Sequence, residues 1–300
     1  MKLTGLHLLL TYQCNYECDH CFVWGSPWQT GTMTLESIRR ILKQARSIDT
    51  VKSIYFEGGE PFLYYPILLR AAREAAHSGF KIGIVTNSYW ALNTEDALEW
   101  LKPFAHIADH LQISSDLYHA DEKLSKLMET ACAAADQLGI SRGIITIAQP
   151  DAIGVASSLG QLPEGESCVM YRGRAAEKLA AQAPGRKWDE FTECPHEDLK
   201  EPGRFHVDPF GYLHICQGIT VGNLFEKPLQ EICESFVPDE HPILGPLLDG
   251  GPAELARRYD VDHRDSYADA CQLCYETCRT LRERFPDVLG PDQMYGVPED

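Results

Sequence analysis

The chain has 300 residues, of which 44% are hydrophobic and 24% charged, and a formal net charge of -17; it fits an ordinary globular protein with length enough to bury a core in one large or two smaller domains. The acidity is uneven, with 9 basic against 21 acidic side chains in residues 194–300. Grip on a phosphate backbone or an anionic bilayer rests on Lys and Arg, so this balance argues against nucleic acid and membrane partners and leaves a small molecule or a neutral or basic peptide.

The N-terminus carries one lysine and a short apolar stretch broken by His7, too poor for an export signal, and TYQC lacks the small residues of a lipoprotein cleavage site. A cytoplasmic location is expected. LHLLLT (6–11) predicts a first strand, and LESIRRILKQA (35–45) a helix, with Leu35, Ile38, Ile41, Leu42 and Ala45 at helical spacing. SIYFE (53–57), KIGIVT (81–86), HLQIS (110–114) and GIITIA (143–148) predict further strands, starting roughly 30 residues apart, the size of a βα repeat. Between them lie the helical stretches ILLRAAREAAHSG, EDALEWLK and DEKLSKLMETACAAADQLG, the first and last closing on glycine. SCVMY (167–171) makes a sixth strand. The expected fold is α/β: a partial (βα)6 TIM-like barrel over residues 1–185, then a small α+β domain over 186–300. That second part opens with a β-hairpin turning at Asp208-Pro209-Phe210-Gly211.

Eleven cysteines in a reducing compartment point to metal ligands or catalytic groups more than to disulfides. The first three, Cys14, Cys18 and Cys21, follow strand one in a C-x3-C-x2-C run. EGGEP (57–61) follows strand two, Thr86 and Asn87 strand three, and Ser114, Ser115 and Asp116 strand four. A (βα) barrel collects its chemistry at these C-terminal strand ends. GGEP alone is equally a turn, and TN and SSD carry nothing singly; their order and placement is the signal. Structural zinc takes four ligands, usually in two pairs, and no partner pair stands at that spacing in the barrel half. Cys132, in ACAAAD, reads as a packed helix residue.

C-x3-C-x2-C followed by GGEP resembles the radical S-adenosylmethionine (SAM) superfamily across the barrel half. Soft thiolates suit iron-sulfur clusters, and three of them on a 4Fe-4S cube leave one iron open. The resemblance implies that Cys14, Cys18 and Cys21 hold such a cluster, that SAM chelates the open iron, and that an electron from the cluster breaks the sulfonium bond to give methionine and a 5'-deoxyadenosyl radical. It implies a SAM cradle of Gly58, Gly59 and Glu60 near the methionine amino group, where glycine lets backbone come close. Thr86, Asn87, Ser114 and Asp116 would meet the carboxylate and ribose, and His20 and Phe22 the adenine. A reductant such as flavodoxin or ferredoxin is the implied partner.

The later cysteines, Cys194, Cys216, Cys233, Cys271, Cys274 and Cys278, come in an order that resembles the cluster-binding extensions called SPASM and twitch, and YRGRA (171–175) is similar to a stretch found at the barrel exit of those enzymes. With no cysteine after Cys278, the twitch form with one auxiliary 4Fe-4S cluster fits better. The resemblance assigns it Cys194, Cys216, Cys271 and Cys274. Cys278 is less certain, since it stands one helical turn from Cys274, roughly 5 to 6 Å away on the same face. Cys233 is expected in the core of its own apolar helix. A four-thiolate zinc site is the other reading of this region. His119, Arg172 and Arg174 are rim candidates for substrate, although Arg174 equally suits the SAM carboxylate. The expected function is hydrogen abstraction from a small molecule, in a dehydrogenation, or from a peptide served by a separate recognition protein, since neither end leaves room for a recognition domain. The alternative is a non-catalytic iron-sulfur or zinc scaffold.

Overall fold

The computed structural model describes residues 2–114, 122–147, 166–167 and 169–297. Contacts divide the chain into two compact units, one of Thr4–Cys18 and Gly25–Val169, the other of Met1–Leu3, Asp19–Trp24 and Met170–Asp300. The sequence expectation draws the division at residue 185. The difference arises because the YRGR segment packs with the chain just after the first cysteines: the Arg174 N–H donates to the Cys21 carbonyl at 3.0 Å, and a Cβ at Gly173 (φ +59°) would stand 2.7 Å from that oxygen.

In the first unit, β1 (Gly5–Thr11), β2 (Ser53–Gly58), β3 (Lys81–Thr86), β4 (His110–Ser114), β5 (Ser141–Ile147) and β6 (Glu166–Ser167) lie side by side in chain order, all parallel. α1 (Leu35–Ala45), α2 (Tyr65–His77), α3 (Thr94–Leu101) and α4 (Glu122–Gln137) fill the crossovers. Parallel strands are covered on both faces and read as continuous apolar runs, and in β1 Leu6, Leu8, Leu9 and Leu10 are all fully buried. α1 starts at a capping box in which Thr34 and Ser37 exchange hydrogen bonds between side chain and backbone. It buries Ile38, Ile41, Leu42 and Ala45, four of the five positions expected from its spacing. The strands and their order agree with the expected partial barrel, except that the sixth strand is short: Val169, Met170 and Tyr171 fall beyond it, and Cys168 lies outside the described residues.

In the second unit, β8 (Arg204–Val207), β9 (Tyr212–Cys216) and β10 (Ile219–Asn223) form an antiparallel meander. The β8–β9 turn falls where Asp208-Pro209-Phe210-Gly211 predicts it. The Asp208 carboxylate accepts from the N–H groups of Phe210 (3.0 Å) and Tyr212 (2.9 Å), the local side-chain bonding that makes Asp a turn former. β7 (Arg186–Lys187) pairs with β11 (Ser266–Tyr267). The helices are α5 (Arg174–Lys178), α6 (Leu229–Glu234), α7 (Leu244–Arg258, interrupted at Gly250 and Gly251) and α8 (Ala270–Leu281). Asp269 caps α8, accepting from Gln272 N–H at 2.8 Å. Cys233 differs from expectation: α6 buries Leu229 and Ile232, and Cys233, one position further round the helix, is only half-buried. Among the described residues no helix is long and apolar enough to cross a membrane.

Leu8 of β1 pairs with Phe56 of β2, and both are fully buried. Leu8→Ala is expected to cost about 2 to 5 kcal/mol through lost transfer energy and the cavity left behind, read as a lower denaturant midpoint; a change under about 0.5 kcal/mol would contradict this core.

Candidate active site

The loops that leave β1, β2 and β3 are tied together at their C-terminal ends. Gly59 N–H donates to the Thr11 carbonyl at 2.7 Å and Glu60 N–H to the Gln13 carbonyl at 2.9 Å. A Cβ at Gly58 (φ +141°) would come to 2.4 Å of the Thr11 oxygen, and one at Gly59 to 2.1 Å of the Gln13 oxygen. The close approach that requires glycine here is to the chain's own backbone.

Glu60 is fully buried. Its Oε1 accepts from Phe62 N–H at 3.0 Å and from the Thr86 hydroxyl at 2.9 Å, and its Oε2 accepts from Asn87 N–H at 2.7 Å. These hydrogen bonds reach from the end of β2 across to the end of β3. Thr86 also accepts from Ser88 N–H and from Trp90 Nε1, each at 3.1 Å, so its hydroxyl is committed to the interior. Asn87 turns outward from that hub: its Nδ2 donates to Asn15 Oδ1 at 2.9 Å and to the Cys14 sulfur at 3.6 Å. The Cys14 sulfur also accepts from Tyr16 N–H at 3.4 Å. Cys14 and Cys18 are each 8% exposed. The Tyr16 phenol beside them is pushed up to about 12, chiefly by burial, with Cys14, Glu60 and Cys18 adding to the rise and a hydrogen bond to Asn15 opposing it.

Thus Cys14, Cys18, Gly58, Gly59, Glu60, Thr86 and Asn87 belong to one unit, while half-buried Ser114 ends β4 in the same unit. Asp116 and His119 lie outside the described residues. His20, Cys21 and Phe22 belong to the second unit. There the Arg172 guanidinium lies 5.4 Å from the Phe22 ring centre and the Arg174 guanidinium 5.5 Å from the Trp24 ring. Arg174 is buried.

The second unit encloses a cavity lined by Cys194, Cys216, Cys271, Cys274 and Cys278 together with Arg172. None of the described cysteines is in a disulfide. Burial pushes Cys194 up and takes Cys216 to about 12, with Arg172 opposing the latter. Cys271 is raised by burial and then by Asp269, and Cys274 first by its hydrogen bond with Cys278 and then by burial. Thiolates crowded in such surroundings need positive charge against them, and a thiophilic metal centre supplies it while displacing their protons. The donor set therefore fits a thiophilic metal centre, an iron-sulfur cluster or a zinc ion alike. Cys233 takes no part in the lining. His196, Asp269 and Cys271 also bring donor atoms within 4.8 Å of one another.

Three residues that the sequence reading passed over matter here: Asn15, which orients Asn87; Glu197, 3.8 Å from Arg172; and Tyr275, which lines the thiol cavity. Asn15 directly follows a cysteine, Tyr275 follows Cys274, and Glu197 stands three places after Cys194. Position beside a cysteine is the one signal in the sequence that marks such residues.

Residues 8–140 match the model of the Radical SAM superfamily. The chain is similar to the "Putative peptide biosynthesis protein YydG" of Bacillus subtilis (strain 168), 32% identical over 112 residues, 37% of this chain and 35% of that protein. It is also similar to an S-adenosylmethionine-dependent nucleotide dehydratase of Fibrobacter sp. (strain UWH6), 30% identical over 125 residues, 39% of this chain and 35% of that protein. The chain thus matches about a third of the length of these relatives. In fold it is similar to native anSMEcpe with bound AdoMet and Cp18Cys peptide, with a TM-score of 0.54 and 14% identity over 95% of this chain and 97% of that one.

Glu60→Gln replaces one oxygen of the hub by an NH2 group that cannot accept from Asn87 N–H or from the Phe62 and Thr86 donors. The expected cost is about 1 to 3 kcal/mol for the donor left unsatisfied, measured as a loss of denaturant stability; an unchanged midpoint would contradict the hub.

Proposed function

We propose that this protein is a radical SAM enzyme whose barrel cleaves SAM and whose C-terminal part is a twitch-type extension holding one auxiliary 4Fe-4S cluster. One observation carries the reading: two buried cysteines outside any disulfide, Cys14 and Cys18, follow the end of β1 that the Glu60 hub fixes, inside the segment that matches the superfamily. In this reading Cys14, Cys18 and Cys21 hold the SAM-binding cluster. With both groups bound, that site supplies the 5'-deoxyadenosyl radical by reductive cleavage of SAM.

The chain's own residues do the positioning. Asn87 donates to the Cys14 sulfur and so offsets part of a thiolate's charge. Glu60 and Thr86, whose polar atoms are already engaged with each other and with backbone, act by keeping Asn87 and the loop after β2 in position. Gly58 and Gly59 allow that loop to sit against the one carrying Cys14. Ser114 and Asp116 would contact the SAM ribose and carboxylate, His20 and Phe22 the adenine, and Arg174 the carboxylate. In the extension, Cys194, Cys216, Cys271 and Cys274 are the ligands, and Cys278 is spare. A cytoplasmic flavodoxin or ferredoxin would reduce the SAM-binding cluster.

For substrate, we infer hydrogen abstraction from either a small molecule or a peptide brought by a separate recognition protein. The relatives' names span both, a peptide biosynthesis protein and a nucleotide dehydratase. A short precursor-peptide gene beside this one would favour the peptide.

Replacing Cys14, Cys18 and Cys21 together by alanine is expected to abolish 5'-deoxyadenosine formation under dithionite while leaving about one cluster's iron. Undiminished cleavage would sink the assignment, whereas a reconstituted wild-type chain that forms no 5'-deoxyadenosine would favour a non-catalytic scaffold. Cys278→Ala is expected to keep both clusters and full cleavage; if iron falls by about half and the second cluster's spectroscopic signal disappears, Cys278 is a ligand and the four-cysteine set is wrong.

A further inference from the structure

We propose that Arg172 is the internal counter-cation that sets the reduction potential of the auxiliary cluster, acting through its hydrogen bond to the Cys216 sulfur. This rests on the reading that Cys194, Cys216, Cys271 and Cys274 hold such a cluster.

Arg172 Nη1 donates to Cys216 Sγ at 3.0 Å, and its side chain is only 12% exposed. Among the described residues it is the sole charged side chain lining the thiol cavity; most of the other lining residues are cysteines or apolar groups such as Leu199, Ile219 and Leu247. The charge survives its surroundings. An arginine guanidinium stays protonated in proteins. The nearest carboxylate does not cancel it either, because Glu197 is shared with Arg204: its oxygens lie 3.8 Å from Arg172 and 3.5 Å from Arg204. One anion between two cations leaves net positive charge against the sulfur.

A one-electron reduction adds negative charge to the thiolate-ligated centre. A fixed cation hydrogen-bonded to a ligand sulfur in a cavity of low dielectric stabilises the reduced form more than the oxidised one, and hydrogen bonds to sulfur together with local charge are among the factors that set cluster potentials. Arg172 therefore makes the auxiliary cluster easier to reduce. Glu197 acts in the opposite sense and is the second handle on the same quantity.

The test is a potentiometric titration, followed by electron paramagnetic resonance, on full-length anaerobically reconstituted protein in the Cys14/Cys18/Cys21→Ala background, where the remaining signal belongs to the auxiliary cluster. Arg172→Gln is expected to disfavour the reduced form at least tenfold, a midpoint lower by about 59 mV or more for one electron. Arg172→Lys, which keeps the charge but not the planar fork, should recover part of the shift, and Glu197→Gln should move the midpoint upward. An Arg172→Gln protein with its full iron and an unmoved midpoint overturns the proposal. If Arg172→Gln fails to assemble, Glu197→Gln decides: an upward shift supports the role, and an unchanged or lower midpoint overturns it. Failure of the cluster reading itself looks different, since the background protein would then carry no iron to titrate.

Discussion

A fully buried carboxylate organises the barrel end of this protein. Glu60 sits at the tip of β2, accepts hydrogen bonds from its own turn and from the end of β3, and its backbone donates to the loop that leaves β1. A buried polar group is tolerated only when it is hydrogen-bonded, so the three strand ends are fixed in one arrangement. Cys14, Asn15 and Asn87 inherit their positions from it. The two glycines before Glu60 are needed for the same reason: any side chain there would collide with the Thr11 or Gln13 carbonyl.

The second unit solves a different problem. Five thiols line one cavity, and burial or mutual contact raises Cys194, Cys216, Cys271 and Cys274. Such a set would hold its protons until a thiophilic cation replaced them. Its scaffold is built from segments distant in sequence: the residue just before Pro195, the end of β9, and one face of α8. The cavity is therefore a product of the folded domain, and metal binding there would be coupled to folding.

Much of the barrel was legible because its physics is local. Leu8 to Leu10 form an apolar run that suits a strand covered on both faces, Ile38, Ile41 and Leu42 share one helical face, and Asp208 through Gly211 carry a turn's chemistry. The rest depends on contacts between residues far apart in the chain. Nothing near Cys21 announces that its carbonyl will accept from Arg174. Nothing in GGEP announces that the Glu60 carboxylate will accept from Phe62, Thr86 and Asn87. Arg172 looks like a rim cation until the fold brings β9 alongside it and Cys216 becomes its partner. Cys233 was misjudged for a geometric reason, since the short helix α6 buries the face of Leu229 and Ile232 and leaves the next position at its edge.

The central claim is that the chain holds two separate iron-sulfur centres, one at the barrel end and one in the thiol cavity. Counting iron, acid-labile sulfide and zinc on anaerobically reconstituted wild-type protein tests it most directly. The account predicts about eight iron and about eight sulfide per chain, four of each per cube, with no zinc. About four iron with one zinc per chain would contradict the auxiliary cluster, and a chain with zinc but no iron would contradict the account as a whole.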